Sequence, residues 1–165
     1  MSRFEETLRT IPPITLGTIA LCCILYILQV VLDIRVTNWT LSPALVLSQP
    51  YRVITSALLH NGPLHLGMNM MSMYAIGMMV EQRLGSLRLL FTIVASIGMT
   101  AAVHVSIAWV AAFAVNVMGP MHQHSIGFSG VLFHLSVLEC NMGSHASRSL
   151  FGFVEVPAKM YPFAL

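Results

Sequence analysis

The sequence predicts an all-α fold, a polytopic helical membrane bundle with about four transmembrane helices and the start of a fifth. Three observations carry this. Hydrophobic residues fill 56% of the 165 positions and charged residues only 8%, against about 25% charged in ordinary globular chains. A soluble fold so poor in charge would expose large apolar patches, so the bilayer is the natural solvent. Apolar segments of near-spanning length recur along the chain. Most of the ionisable side chains lie between those segments, where a membrane protein meets water.

The segments follow in order. Pro12-Pro13 opens the first, 14–32, which carries no charge and has the length of a hydrocarbon core. Asp33 and Arg35 mark its exit. Residues 36–59, with Pro43 and Pro50, are mixed in character and too long for a tight turn. They read as a loop lying against the membrane surface. The second segment, 65–80, is Met-rich and short. The third, 89–118, holds one ionisable residue, His104, and is long enough for a tilted helix and its loop. The fourth begins near Gly127 and stays apolar to Leu138. Short spans of this kind are tolerated when they pack inside a bundle. Polarity then returns, and the last residues, 161–165, read as the opening of a further span. Residues 1–13 are expected to form a cytoplasmic segment, leaving 14–165 as a partial membrane domain.

Loop charges set the orientation. A cytoplasmic N-terminus puts Arg3, Arg9, Arg83, Arg88, Arg148 and Lys159 inside and only Arg35 and Arg52 outside, as the positive-inside rule favours. The N-terminal residues lack the basic start and small-residue cleavage site of a signal peptide, so the first apolar run reads as a retained span. Nor do they form the Arg-rich, acid-poor helix of a transit peptide, and a secretory-pathway membrane is expected ahead of a mitochondrial one. The net charge of +2 is scattered, without a Lys/Arg run, which excludes the electrostatic footprint of a nucleic-acid partner. Cys22, Cys23 and Cys140 read as buried thiols, with no disulfide framework or zinc spacing.

Polar side chains inside a bilayer invite a functional reading, and here they gather in two places. His65 and Asn69 stand four apart near the start of the second span, on one face of a helix. Ser129 opens the fourth span between Gly127 and Gly130. On the charge-derived topology both places lie toward the same side. Glycines allow close backbone approach, so a serine set among them can stand in a narrow cavity. To attack a carbonyl its hydroxyl needs a base, and the developing oxyanion needs donors. His65 and Asn69 are suitable donors if the two spans pack together. The bland alternative is a small-residue packing patch between membrane helices.

Three ordered blocks decide between these readings: 51–60 (YRVITSALLH) with 65–69 (HLGMN), then 81–86 (EQRLGS), then 127–133 (GFSGVLF). In order and spacing they resemble the rhomboid family of intramembrane serine proteases, and 151–157 is similar to the loop before the fifth span of some eukaryotic members. The resemblance implies a polytopic protease that cleaves transmembrane protein substrates within the lipid bilayer, with no cofactor and no metal. It implies Ser129 as nucleophile, His65 and Asn69 as oxyanion donors, and a structural role for Glu81 and Arg83. It also implies a general-base histidine on a sixth span, in an Ala-His-x-x-Gly context, and residues 1–165 contain no such segment. The expectation is therefore a C-terminally truncated member lacking the fifth and sixth spans, and so a thinly covered, poorly stable site. Among resident histidines, His134 lies about 140° around the helix from Ser129 and points elsewhere. His104 reads as a packed residue. His122 and His124 lie in the loop before the motif, without support from the family pattern.

Two further readings stand beside the protease. A non-catalytic rhomboid-like protein would keep the groove and bind membrane clients without the base. A metal or proton carrier would use His60, His65, His122, His124 and His134, but no acidic residue within the spans joins them.

Overall fold

A computed structural model of the chain describes residues 10–142, 147–150 and 154–157. The expected opening of a fifth span, along with Arg3, Arg9 and Lys159, lies outside the described residues.

Helix α1, Pro13–Val31, starts with proline at its first position, where the missing N–H costs nothing. It ends as Leu32 leaves the helix and Asp33 turns left-handed at φ 48°. After a 3-10 turn, Val36–Asn38, a short helix α2 spans Arg52–Leu58. The second span is one continuous helical rod over 63–84, built from α3 (Pro63–Ser72), a π-helical segment (Met73–Gly77) and α4 (Met78–Leu84). Helix α5, Ser86–Ala114, is the longest at 29 residues, about 43 Å at 1.5 Å per residue. A 3-10 turn, Gly119–His122, leads to α6, Ser129–Met142. The helical membrane bundle is as expected. The polar tail adds one antiparallel ribbon, β1 (Ser147–Leu150) paired with β2 (Val154–Pro157), in the register Ser147↔Pro157 to Leu150↔Val154.

By length and composition α1 and α5 are the helices, among the described residues, that can cross a membrane unaided. Their outward faces are apolar and exposed, for example Ile27, Val30, Phe91, Ile107 and Phe113, as lipid contact requires. The 63–84 rod and α6 instead supply the centre. Met73, Val80, Leu89, Phe128 and Leu135 are fully buried in one cluster with Cys22 of α1. The second span is thus longer than its 65–80 apolar core suggests, because Glu81 and Arg83 extend the helix while bonding to protein groups.

Those two side chains tie one end of the bundle together. Glu81, 3% exposed, accepts the Ile14 N–H at 2.9 Å, the Thr15 N–H at 2.7 Å and the Thr15 hydroxyl at 2.7 Å. The first-turn amides of α1 have no intrahelical acceptor, and a carboxylate there also meets the positive end of the helix dipole. Arg83 donates to the Met142 carbonyl at 2.7 Å, the matching device at the C-terminus of α6. Glu81→Ala should destabilise the folded chain by about 3 kcal/mol or more, since it strands two buried donors and one part-buried donor of a charge-assisted cluster. Unfolding in detergent at rising temperature measures this; an unchanged midpoint would show that the cap carries little.

At the opposite end the loops lock together. Leu41 and Ser125 exchange backbone bonds of 3.0 and 2.9 Å, and the Ala44 N–H donates to the Met121 carbonyl. Arg52, counted above as an outward charge, is in fact 5% exposed. Its guanidinium donates to the Gln49 side chain and to the carbonyls of Thr37 and Thr40. A buried cation held by carbonyl dipoles fixes the 37–52 loop, and α2, which follows it, carries Ser56, whose carbonyl accepts from the Gly127 N–H. The mixed composition of 36–59 hid this short helix.

Candidate active site

Helix α6 begins at Ser129, with the Phe128 carbonyl accepting its first two backbone bonds, from Val131 and Leu132. Phe128 is fully buried and anchors this start. Ser129 is exposed at the helix N-terminus, where unpaired N–H groups and the positive dipole end favour a developing negative charge. Among the described residues no side chain hydrogen-bonds its hydroxyl.

The approach to Ser129 is set by two glycines. Gly127 has φ 111°, a region L-residues rarely enter, and its N–H donates to the Ser56 carbonyl at 2.7 Å. A Cβ there would lie 2.5 Å from His65 Cε1 and 2.8 Å from His65 Nε2, so the imidazole rests directly on the Gly127 backbone. A Cβ at Gly130 would meet the Thr100 side chain, so α6 touches α5 beside the serine.

The two separated motifs therefore meet. His65 packs on the turn that presents Ser129, and Asn69 and Ser129 line one groove of about 440 Å3 between the 63–84 rod and α6. Asn69 is 5% exposed. Its amide donates to the His65 carbonyl at 2.8 Å, which takes one of its two N–H groups, and its Oδ1 has no partner among the described residues. A second cavity of about 150 Å3, lined by Ser56, Thr100, Ser125 and Gly127, reaches Ser129 from behind.

His60 supports the arrangement from outside the helical spans. It is fully buried, its ring nitrogens have no partner among the described residues beyond the Leu58 carbonyl beside them, and its ring meets that of His65 edge-on at 5.3 Å. Burial pushes its imidazole down to about 4, with the nearby His65 adding to the shift, so it is neutral near pH 7.

The other histidines do not join Ser129. His134 bonds through Nδ1 to the Ser96 hydroxyl at 3.0 Å and lines a separate cavity with Thr100, Gly130 and Phe133. His124 bonds to the Thr40 hydroxyl at 2.7 Å and belongs to the loop lock. Neither His122 nor His124 lines the cavities that contain Ser129, and His104 Nε2 is buried without a partner on α5. Among the described residues no three His, Cys, Asp or Glu side chains gather as metal ligands would. Cys22 and Cys140 are buried thiols, with Cys23 partly so.

Sequence reasoning did not single out Met68, Ser72, Phe133 and Ser136, which share the groove. Helical spacing carries the signal: Phe133 follows Ser129 by four, and Ser72 follows Asn69 by three.

A family model for the Rhomboid domain matches residues 47–165. Rhomboid-like protein 15 of Arabidopsis thaliana is 31% identical over an alignment covering 99% of this chain and 42% of its own length. Rhomboid-related protein 4 of Homo sapiens is 29% identical over 91% of this chain and 47% of its own. Rhomboid protease GlpG of Yersinia pseudotuberculosis is 35% identical over 57% and 36% respectively. The chain thus spans less than half the length of these relatives. With the match covering most of the chain and His65, Asn69 and Ser129 brought to one end of a helical bundle, the conclusion follows: the chain belongs to the rhomboid family of integral membrane proteins.

Proposed function

We propose that this chain carries the nucleophile and oxyanion side of a serine endopeptidase acting on transmembrane protein substrates. One observation carries the reading: His65 packs on Gly127, and Asn69 lines the groove that exposes Ser129. In this chemistry Ser129 Oγ adds to the scissile carbonyl carbon while its proton passes to the base. The oxygen that gains negative charge accepts from the second Asn69 N–H, from a His65 ring N–H and from the free amides at the start of α6. The carbonyl then re-forms as the C–N bond breaks, and the base returns its proton to the leaving amine. The base is the histidine that the family resemblance implies. The orientation inferred from loop charges puts this site toward the extracytoplasmic side, in a secretory-pathway membrane.

A second reading is a rhomboid-like protein that binds membrane clients without cleaving them. It is favoured by the absence of any histidine bonded to Ser129 among the described residues. Two measurements separate the readings. Sequencing the transcript beyond codon 165 tells whether an Ala-His-x-x-Gly segment follows. The expressed product is then treated with a fluorophosphonate probe. Labelling mapped to Ser129 is the expected result, and a folded product unlabelled at Ser129 would move the client-binding reading ahead.

A further inference from the structure

We infer that Gln29, on the first span, is a positioning residue for the site, acting through His60 on His65. The proposed function gives the coupling its purpose, but the coupling itself is a property of the fold. Gln29 lies near the end of α1, only 8% exposed in an otherwise apolar helix. A buried amide in such a place is costly and invites a role. Its Nε2 donates to the His60 carbonyl at 3.0 Å, across 31 residues of sequence, while its Oε1 finds no partner among the described residues.

The His60 carbonyl needs that donor. Residues 59–62 form the irregular link between α2 and α3, extended at Leu59 (ψ 156°) and at φ 116° at Gly62, so no helical ladder serves it. A buried backbone carbonyl left without a donor is costly. Apart from the Leu58 carbonyl beside it, the His60 ring has no polar tether among the described residues, so its orientation follows from the backbone leading to residue 60 and from packing. That ring meets His65 edge-on, and His65 lies against Gly127, two residues from Ser129. A contiguous series of contacts thus runs from the first span to the nucleophile turn. The links are the Gln29–His60 hydrogen bond, the His60 residue itself, its ring contact with His65 and the packing of His65 on Gly127.

The test is made on the chain with 15N-labelled histidines in detergent micelles, comparing wild type with Gln29→Met, which keeps length and apolar packing but donates nothing. The expected result is a change in the ring signals of both His60 and His65, while those of His104 and His134 hold still. If Gln29 only fastened α1 to the bundle, the unfolding temperature would fall and the His65 signals would not move below it. That outcome overturns the proposal. Should Gln29→Met fail to fold, the wild-type chain still decides. A solid-state measurement between Gln29 Nε2 and the His60 carbonyl carbon should give about 4 Å, as a 3.0 Å N–O bond requires. A separation beyond about 6 Å, too long for any hydrogen bond, overturns it as well. Neither readout needs turnover, so failure of the protease reading would leave both intact. Where the expressed product labels with fluorophosphonate, Gln29→Met should also slow labelling of Ser129 without abolishing it.

Discussion

Ser129→Ala is expected to reduce cleavage of a transmembrane substrate to background, a loss of about 10^4-fold or more in kcat, as removal of a serine nucleophile does elsewhere. The same substitution should leave stability within about 0.5 kcal/mol of wild type, the usual range for exposed sites. The geometry explains the separation. Ser129 is exposed, its hydroxyl bonds to no side chain among the described residues, and the helix start is held instead by the buried Phe128 and its carbonyl. Alanine is also compatible with the first position of a helix. Activity and fold are therefore read independently: a substrate band that survives in well-folded Ser129→Ala would end the assignment of Ser129 as nucleophile. A joint loss of activity and folding would instead mean that the hydroxyl serves the structure, contrary to its lack of partners.

The features legible in the sequence were those with a periodic or motif-level signal. The first and third spans declare themselves by uninterrupted apolarity, and α1 and α5 lie within a few residues of the expected limits. The spacing of His65 and Asn69 on one helix face and the glycines around Ser129 singled these residues out, and the structure brings them together around one groove and turn. What escaped were features set by partners distant in sequence. The π-helical segment Met73–Gly77 sits where the rod packs against both α1 and α6, and no local residue choice announces it. The sequence placed Arg52 in the outer loop but gave no sign of its burial, because its partners are mostly backbone carbonyls, which every residue possesses. Gln29 was invisible for the same reason: one amide in an apolar run, matched to a carbonyl in another loop. The ribbon of β1 and β2 follows a tail whose polarity suggested only a loop.

The strictest steric demand at the site falls on Gly127, and Gly127→Ala should act through both backbone and side chain. Its φ of 111° is a conformation that costs a residue bearing a Cβ about 1–3 kcal/mol. The added methyl would also stand 2.5 Å from His65 Cε1, closer than any real contact. One of the two must give. The ring belongs to a helix that begins at Pro63 and is backed by His60, so the turn carrying Ser129 is the part expected to move, weakening the 2.7 Å bond from the Gly127 N–H to the Ser56 carbonyl. A displacement near 1 Å of a reacting group costs about 100-fold in rate, so labelling and cleavage should fall by at least that factor while the protein remains folded at low temperature. Gly67→Ala is the matched control. It lies in α3 between His65 and Asn69 with nothing within 4 Å of a new Cβ and an ordinary backbone angle. There alanine should raise stability by up to about 1 kcal/mol through helix propensity and leave labelling unchanged. If Gly127→Ala labels as fast as wild type, the contact between His65 and the nucleophile turn does not govern reactivity, and the oxyanion role of His65 loses its geometric basis. If Gly67→Ala also abolishes labelling, α3 itself moves during the reaction, and the site is less rigid than the packing of His60, His65 and Gly127 requires.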